Sequence, residues 1–243
     1  MKDGNPLIKP PMWAIDPGVV AYNCSKHGFP IPVLAMPFWE GTGNKTYDVS
    51  GNMNNGTMVN HLKWIKGSYG FQLSFDGTDD YIPIPGNPPN GEMTIISMIQ
   101  TNVKVNSILE YNEDNPPAFN AYDRELSLDA SGHLVFRVYN GAVYEAVGTS
   151  DVADGKYHSI AGRIHSTIGN SVFVDGVLEN TNNGGTNGDN IYSSAFFHIG
   201  AAYIGYIGYF NGINAYVLIF KMALTDIQIK FFSDNPYFIY ETL

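Results

Sequence analysis

The 243-residue sequence predicts an all-β protein: a two-sheet antiparallel sandwich with an extended N-terminal arm and one short C-terminal helix. Three observations carry this. Two alternating segments are centred on turn dipeptides: Leu134–Tyr139 and Ala142–Val147 flank Asn140-Gly141, and Ser171–Val174 and Val177-Leu178 flank Asp175-Gly176. Asn-Gly and Asp-Gly accept the positive φ angles of a two-residue type I′ turn, whose twist matches the strands it joins. Many further short β-rich runs recur, separated by Gly, Pro, Asn and Asp, at the spacing of a sandwich. The composition agrees: 44% hydrophobic residues supply a core, and low charge with abundant Gly and Tyr suits strands rather than a helical bundle.

Taken in order, residues 1–37 are rich in proline and carry apolar Leu7, Ile8, Met12, Trp13, Ile15, Val19 and Val20. The segment cannot build its own core, so it is predicted as an arm that either wraps the sandwich and supplies an edge segment or docks on a partner protein. Residues 38–243 form the domain. Its predicted strands are Phe71–Phe75, Tyr81–Ile84, Thr94–Gln100, Ser107–Tyr111, Glu125–Asp129, the Leu134–Val147 hairpin, Tyr157–His165, the Ser171–Leu178 hairpin, Phe196–Gly200 and Ile213–Phe220. Asp76-Gly77, Pro85-Gly86-Asn87, Ser131-Gly132 and Asp154-Gly155 supply turns between them. One helical signal follows: Thr225 as N-cap, Asp226–Phe232, and Pro236 beyond. The run Asn180–Asn190, almost all Asn, Gly, Thr and Asp, is predicted as a surface loop.

A net charge of −10, with only 13 scattered basic residues, argues against a nucleic-acid surface. The lone Cys24 excludes an internal disulfide and a multi-cysteine zinc site. It is expected as a small buried hydrophobe rather than a nucleophile paired with His27. No apolar h-region of a secretory signal and no run of membrane-spanning length is present.

The motifs resemble a known family. Phe38–Asn44 (FWEGTGN), Tyr47–Asn52 (YDVSGN) and Asn55–Thr57 (NGT) are similar to the opening of laminin-G-like, concanavalin A-like jelly rolls. Leu73–Ile82 (LSFDGTDDYI), Asp154–His158 (DGKYH), Val172–Val177 (VFVDGV), His198–Gly200, Phe210–Ile213 and Ala223–Ile229 follow in the same order. The resemblance covers about Met36 to Phe232 and implies the concanavalin A-like jelly-roll form of the sandwich. It speaks to fold, because fold alone does not set function. Relatives often carry an acidic pair where this chain has Asn214-Ala215, so a role held by those acids does not transfer.

Three chemistries are open to such a fold. Glycoside hydrolysis in such folds uses acids at i, i+2 and i+4 on one strand face. No such run exists; Glu110-Tyr-Asn-Glu113 is nearest and puts its two Glu on opposite faces, so no catalytic residue is assigned and the chain is expected not to be an enzyme. Calcium is the one candidate cofactor, with Asp48, Asn52, Asp79 and Asp80 as candidate ligands: Asp48-Val-Ser50-Gly-Asn52 has alternate oxygens, and the resemblance implies a rim cation in some relatives. The same residues also serve as turn formers. Carbohydrate binding needs an aromatic platform with convergent polar groups. Tyr203, Tyr206 and Tyr209 stand at intervals of three, and Asn182, Asn183, Asn187 and Asp189 lie in the Asn/Gly loop; packing against a sheet or a neighbouring subunit is the alternative for the tyrosines. The six His residues show no metal spacing, and His158 and His165 are expected to alternate within a strand.

The fold is usually deployed outside cells, yet this chain has neither a visible export signal nor disulfides. Together with its resemblance to modules in phage sequences, this predicts a virion protein of capsid-decoration or fibre type, on the particle surface. The expected partners are other virion or surface proteins through the arm, further copies of the chain as a homo-oligomer, and a possible host glycan. A secreted carbohydrate-binding adhesin module is the alternative, and a glycoside hydrolase the third.

Overall fold

The computed structural model describes residues 16–85, 91–112, 122–186, 196–202 and 208–241. Among these the chain forms helix α1 (Pro17–Lys26), then strands β1 (Leu34–Met36), β2 (Lys45–Thr46), β3 (Gly56–Thr57), β4 (Lys63–Gly67), β5 (Gly70–Asp76), β6 (Ile82–Pro85), β7 (Met93–Gln100) and β8 (Asn106–Asn112). There follow β9 (Tyr122–Leu128), β10 (His133–Tyr139), β11 (Val143–Asp151), β12 (Tyr157–His165), β13 (Gly169–Val174), β14 (Val177–Asn182), β15 (Phe196–Ile199) and β16 (Asn211–Phe220). Helix α2 (Asp226–Asp234) and a 3-10 turn (Phe238–Tyr240) complete it.

The pairings assemble two antiparallel sheets. The larger has eight strands in the order β14-β13-β12-β7-β16-β5-β4, with β1 also paired to β16. The smaller has six, in the order β11-β10-β9-β8-β15-β6, and β2 and β3 form a ribbon of their own.

Period-two alternation sorts the side chains into layers. Leu126, Leu128, Phe136, Val138, Phe197 and Ile199 of the smaller sheet meet Ile95, Ile99, Ile160, Ile164, Val172 and Val217 of the larger in one core. Gly162 faces this gap, where an added Cβ would stand 2.8 Å from Phe136 Cδ2. The other face of the larger sheet is apolar as well: Ile96, Met98, Phe173, Tyr216, Leu218 and Phe220. A helical layer covers it. Val20 and Cys24 of α1, Ile229 and Phe232 of α2, and Phe238, Ile239 and Tyr240 pack there. Phe232 lies 5.2 Å from Phe220 and 5.0 Å from Phe238, ring centre to ring centre. The Asn23 amide donates to Ile239 O at 3.2 Å and Glu241 O at 2.8 Å, fastening α1 to the C-terminal turn.

The described part of the expected arm wraps the sandwich and supplies a paired strand, and it holds a helix that the proline-rich sequence did not suggest. Residues 16–37 contain α1, capped by Asp16 accepting from Gly18 N, and β1, paired with β16 from Leu34↔Ile219 to Met36↔Val217. The prolines masked a helix because Pro17 stands at its first turn, where no amide hydrogen is needed. Residues 1–15 of the predicted arm lie outside the described residues. Cys24 is buried as expected, and burial pushes its thiol up to about 11.

The two hairpins divide. Asp175 (φ 50°) and Gly176 (φ 76°) both adopt positive φ between paired Val174 and Val177, as a type I′ turn requires. At the other hairpin Tyr139 pairs with Val143, so the loop has three residues and only Gly141 (φ 67°) is left-handed. Thr225 caps α2 through a full capping box with Gln228.

At one end, His158 on β12 is held between two turns. Its Nδ1 is 2.9 Å from Asp175 Oδ2 and its Nε2 3.1 Å from Asp154 Oδ1. The hydrogen bond to Asp175 raises its pKa most; burial opposes this, and Asp154 adds to the rise.

Two outcomes follow. Gly162→Ala should cost about 1–3 kcal/mol in denaturant unfolding, because the methyl group overpacks the core against Phe136. A folded-state pKa above the ordinary 6.5 means the His158 contribution is complete below about pH 6.5 and fades as pH rises through the folded value. The thermal midpoint of the wild type should therefore fall toward that of His158→Ala as pH rises from about 6.5 to 9; a constant difference would refute a stabilising pairing of His158 with Asp154 and Asp175.

Candidate functional site

Because helices cover the outer face of the larger sheet, the outer face and edges of the smaller sheet are the place to look. At its β6 edge the chain turns sharply after β5. Gly77 (φ 79°) permits the turn, and Thr78 N donates to Asp76 Oδ1 at 2.8 Å. Asp80 then folds back, accepting from His61 N at 2.9 Å and from Asp76 N at 3.1 Å. Asp76, Asp79 and Asp80 thus offer one carboxylate oxygen each, all within 4.8 Å of one another. Burial raises the Asp80 carboxyl, its backbone hydrogen bonds oppose that, and Asp76 and Asp79 add like-charge repulsion. Three carboxylate oxygens gathered on a tight turn could hold a metal ion.

Of the sequence-predicted ligands, Asp79 and Asp80 belong to this cluster, and Asp76, read from sequence only as a turn former, joins them. Asp48 does not. Its two oxygens accept from Ala35 N (3.0 Å), Ser50 N (2.9 Å), Ser50 Oγ (2.9 Å) and Asn54 N (3.1 Å), which fills a carboxylate's acceptor capacity. Asn52 donates to Val33 O at 3.1 Å and Ser50 Oγ at 3.0 Å. The alternate-oxygen pattern there organises a loop.

Tyr209 stands beside the aspartates. Its half-buried ring is 6.4 Å from that of Tyr81, which meets His198 edge-on at 5.8 Å. Burial, then the Tyr81 phenol and Asp79, raise the Tyr209 hydroxyl pKa. Asn182, at the end of β14 in the larger sheet, reaches the opposite edge of the smaller sheet: its amide donates to Glu145 O on β11 at 3.0 Å and its oxygen accepts from Gly184 N at 2.9 Å. Asn183 follows in an exposed turn. Tyr209 and Asn182 are therefore not brought together, and Tyr203, Tyr206, Asn187 and Asp189 lie outside the described residues.

Between these edges runs a feature no local spacing reveals. In register across five strands stand His198 (β15), Glu110 (β8), Glu125 (β9), Arg137 (β10) and Glu145 (β11). Their chain neighbours Phe197, Ile199, Leu109, Tyr111, Leu126, Phe136, Val138 and Ala146 all sit in the inter-sheet core, so alternation puts the row on the outer face. Arg137 Nη1 donates to Glu125 Oε1 at 3.1 Å and Ser127 Oγ at 2.9 Å, and Nε to Glu145 Oε1 at 2.5 Å. Burial pushes the Glu125 carboxyl up against the pull of Arg137. Burial also works against the Arg137 charge, yet Glu125 and Glu145 hold its pKa above the ordinary value. Burial lowers His198 to about 4, so it is neutral at pH 7. Glu113, the nearest acid to Glu110 along the chain that the sequence offers, lies outside the described residues; the fold sets Glu110 opposite Glu125 across strands.

Comparison with known proteins agrees with this architecture. Residues 76–230 match the laminin-G-type family model described as the concanavalin A-like lectin/glucanases superfamily. A search of curated proteins found no significant match. Among solved structures, domain 4 of AbnA, a GH43 extracellular arabinanase from Geobacillus stearothermophilus solved with arabinotriose, superposes with a TM-score of 0.65 at 14% identity, over 83% of this chain and 98% of that one. The binding domain of Paraclostridial Mosquitocidal Protein 1 gives 0.63 at 14% identity, over 87% of this chain and 55% of its own. The binding domain of Botulinum Neurotoxin DC, in complex with SialylT, gives 0.62 at 13% identity, over 84% and 51%. This chain thus spans about half of either toxin domain. At these identities the likeness is one of fold. With the family model matching well over half of its length, the chain belongs to the concanavalin A-like lectin/glucanase superfamily.

Proposed function

We propose that this chain is a non-enzymatic particle-surface protein, of the capsid-decoration or fibre type, whose sandwich holds a host-surface carbohydrate with calcium at Asp76, Asp79 and Asp80. One observation carries the binding part: beside the three clustered carboxylates stand two half-buried tyrosine rings, Tyr81 and Tyr209, on the side of the sandwich that the helices leave uncovered. Aromatic rings with convergent oxygen donors suit sugar faces and hydroxyls. Solved neighbours captured with arabinotriose and with SialylT support a glycan as ligand. The virion placement rests on the acidic, single-cysteine composition and the resemblance to phage modules. A binding module of a secreted bacterial protein is the second reading. It is favoured by the match that spans 98% of a domain of an extracellular arabinanase.

Attachment to the particle falls to residues 1–15, because α1 and β1 belong to the sandwich. Deleting residues 1–15 should abolish co-sedimentation with particles while leaving the thermal midpoint in place. Deleting residues 1–35 should lower that midpoint sharply, since it strips Val20, Cys24 and Leu34 from two packed layers. Equal stability of the two truncations would contradict this division.

Calcium added at 100-fold its Kd should stabilise the wild type by about 2.7 kcal/mol. Asp76→Asn and Asp79→Asn should each remove most of that gain, read by calorimetry and thermal shift with and without chelator. A glycan array run in both conditions tests the binding itself; failure to hold any sugar in either condition would remove the carbohydrate part of the proposal.

A further inference from the structure

The chain has six Asn-Gly pairs, and the fold treats them unequally. A peptide nitrogen that follows asparagine can attack that asparagine's own side-chain carbonyl, and glycine obstructs the approach least. The attack needs the Asn carboxamide, the Gly N–H and the peptide between them to be free to meet. Four of the pairs, at Asn55, Asn140, Asn183 and Asn211, lie among the described residues.

Three of these four are held. Asn211 opens β16: its Nδ2 donates to Asp76 O at 2.9 Å, its N–H donates to Asn106 Oδ1 at 2.8 Å, and Gly212 is paired with Phe75 on β5. Asn55 Oδ1 accepts from Asp48 N at 3.0 Å, and Gly56 is buried in β3 opposite Thr46. Asn183 precedes a glycine whose N–H, the group that would attack, is committed to Asn182 Oδ1 at 2.9 Å. Asn140 is different. Neither its carboxamide nor the Gly141 N–H makes a hydrogen bond among the described residues. Asn140 N donates to Ala142 O at 3.0 Å, which closes the loop and leaves Gly141 exposed at its tip. Gly141 has φ 67° and only open space where a side chain would stand.

We propose that the tip of the β10–β11 hairpin is a self-modifying site, where Asn140 is converted to aspartate and isoaspartate through a cyclic imide formed with Gly141. The Gly141 nitrogen gives up its proton to hydroxide and attacks Asn140 Cγ. The N–Cγ bond forms, the Cγ–Nδ2 bond breaks, and Nδ2 takes a proton from water and leaves as ammonia. One water then opens the imide. Cleavage of the new N–Cγ bond gives aspartate; cleavage of the original peptide bond gives isoaspartate, in which the main chain runs through Cβ and Cγ. Water is the sole co-reactant and no electrons change hands. Isoaspartate adds one backbone atom to the three-residue loop that joins the paired Tyr139 and Val143. Either product adds a negative charge to a chain already at −10. The fold thus leaves one Asn-Gly pair at an exposed tip to react while it shields three of the same chemistry.

The test ages the full-length protein in warm, mildly alkaline buffer, with and without urea. Peptides are then mapped by mass spectrometry with fragmentation that tells aspartate from isoaspartate. In the native protein, position 140 should convert about tenfold to a hundredfold faster than positions 55 and 211, with position 183 between them. In urea the four rates should converge, because only the fold distinguishes these pairs. Ageing should also lower the thermal midpoint of the wild type below that of Asn140→Asp, which carries the charge without the extra backbone atom. Asn140→Gln, whose longer side chain closes the ring far more slowly, should keep its midpoint through the same treatment. Native conversion at position 55 or 211 as fast as at 140, or a ranking that persists in urea, overturns the site. An equal drop in midpoint for aged Asn140→Gln, or an aged wild type that matches Asn140→Asp, overturns the lengthened loop.

Discussion

The aromatic layer laid over the larger sheet is the constraint on which the rest depends. A sandwich has two outer faces, and most of its residues serve the gap between the sheets. Here Phe29, Phe231, Phe232 and Phe238 interlock at ring distances of 4.9–5.2 Å, with Phe29 and Phe231 at the margin of the cluster. Trp39 continues the layer against Tyr237 and Tyr240. Each buried ring contributes on the order of 1.5–3 kcal/mol of apolar burial. That seals one face and ties α1, α2 and the C-terminal 3-10 turn to it.

The smaller sheet answers with polarity where the larger has rings. Its strands obey the same alternation, yet the outward positions are Glu, Arg, His and Ser rather than Phe and Leu. The turn after β5 adds the aspartates at one edge, and Asn180 and Asn182 bind β11 carbonyls at the other, closing the sandwich there. One sheet therefore serves stability on both faces. The other packs apolar side chains on one face and buries a row of polar and charged ones on the second.

How much of this is legible in the sequence depends on the range of the interaction. Local signals translate well: Asp175-Gly176 predicts its turn, Thr225 predicts its helix, and the alternation from Phe71 to Phe220 predicts the strands. Asp79 and Asp80 are found because the cluster is nearly contiguous. Two features escape for opposite reasons. Pro17 conceals α1 because proline density suggests extended chain, although proline at a first helical turn is favourable. Glu110 and Glu125 escape because their proximity depends on cross-strand register, set by bulges beside Ser107 and Tyr111 that no spacing rule encodes. Asp48 misleads in the other direction: its oxygens alternate like a cation loop but are spent on amides of its own segment.

The sealing of the larger sheet by the helical layer is tested most directly by hydroxyl-radical footprinting of the unliganded protein, read tyrosine by tyrosine by mass spectrometry. Tyr216, Tyr237 and Tyr240, all 5% exposed or less, should resist oxidation, while Tyr81 and Tyr209 should react, with exposed Tyr22 and Tyr47 as internal standards. Rapid labelling of Tyr237 and Tyr240 together with protection of Tyr81 and Tyr209 would mean that the helical layer does not cover the larger sheet, and would contradict the account.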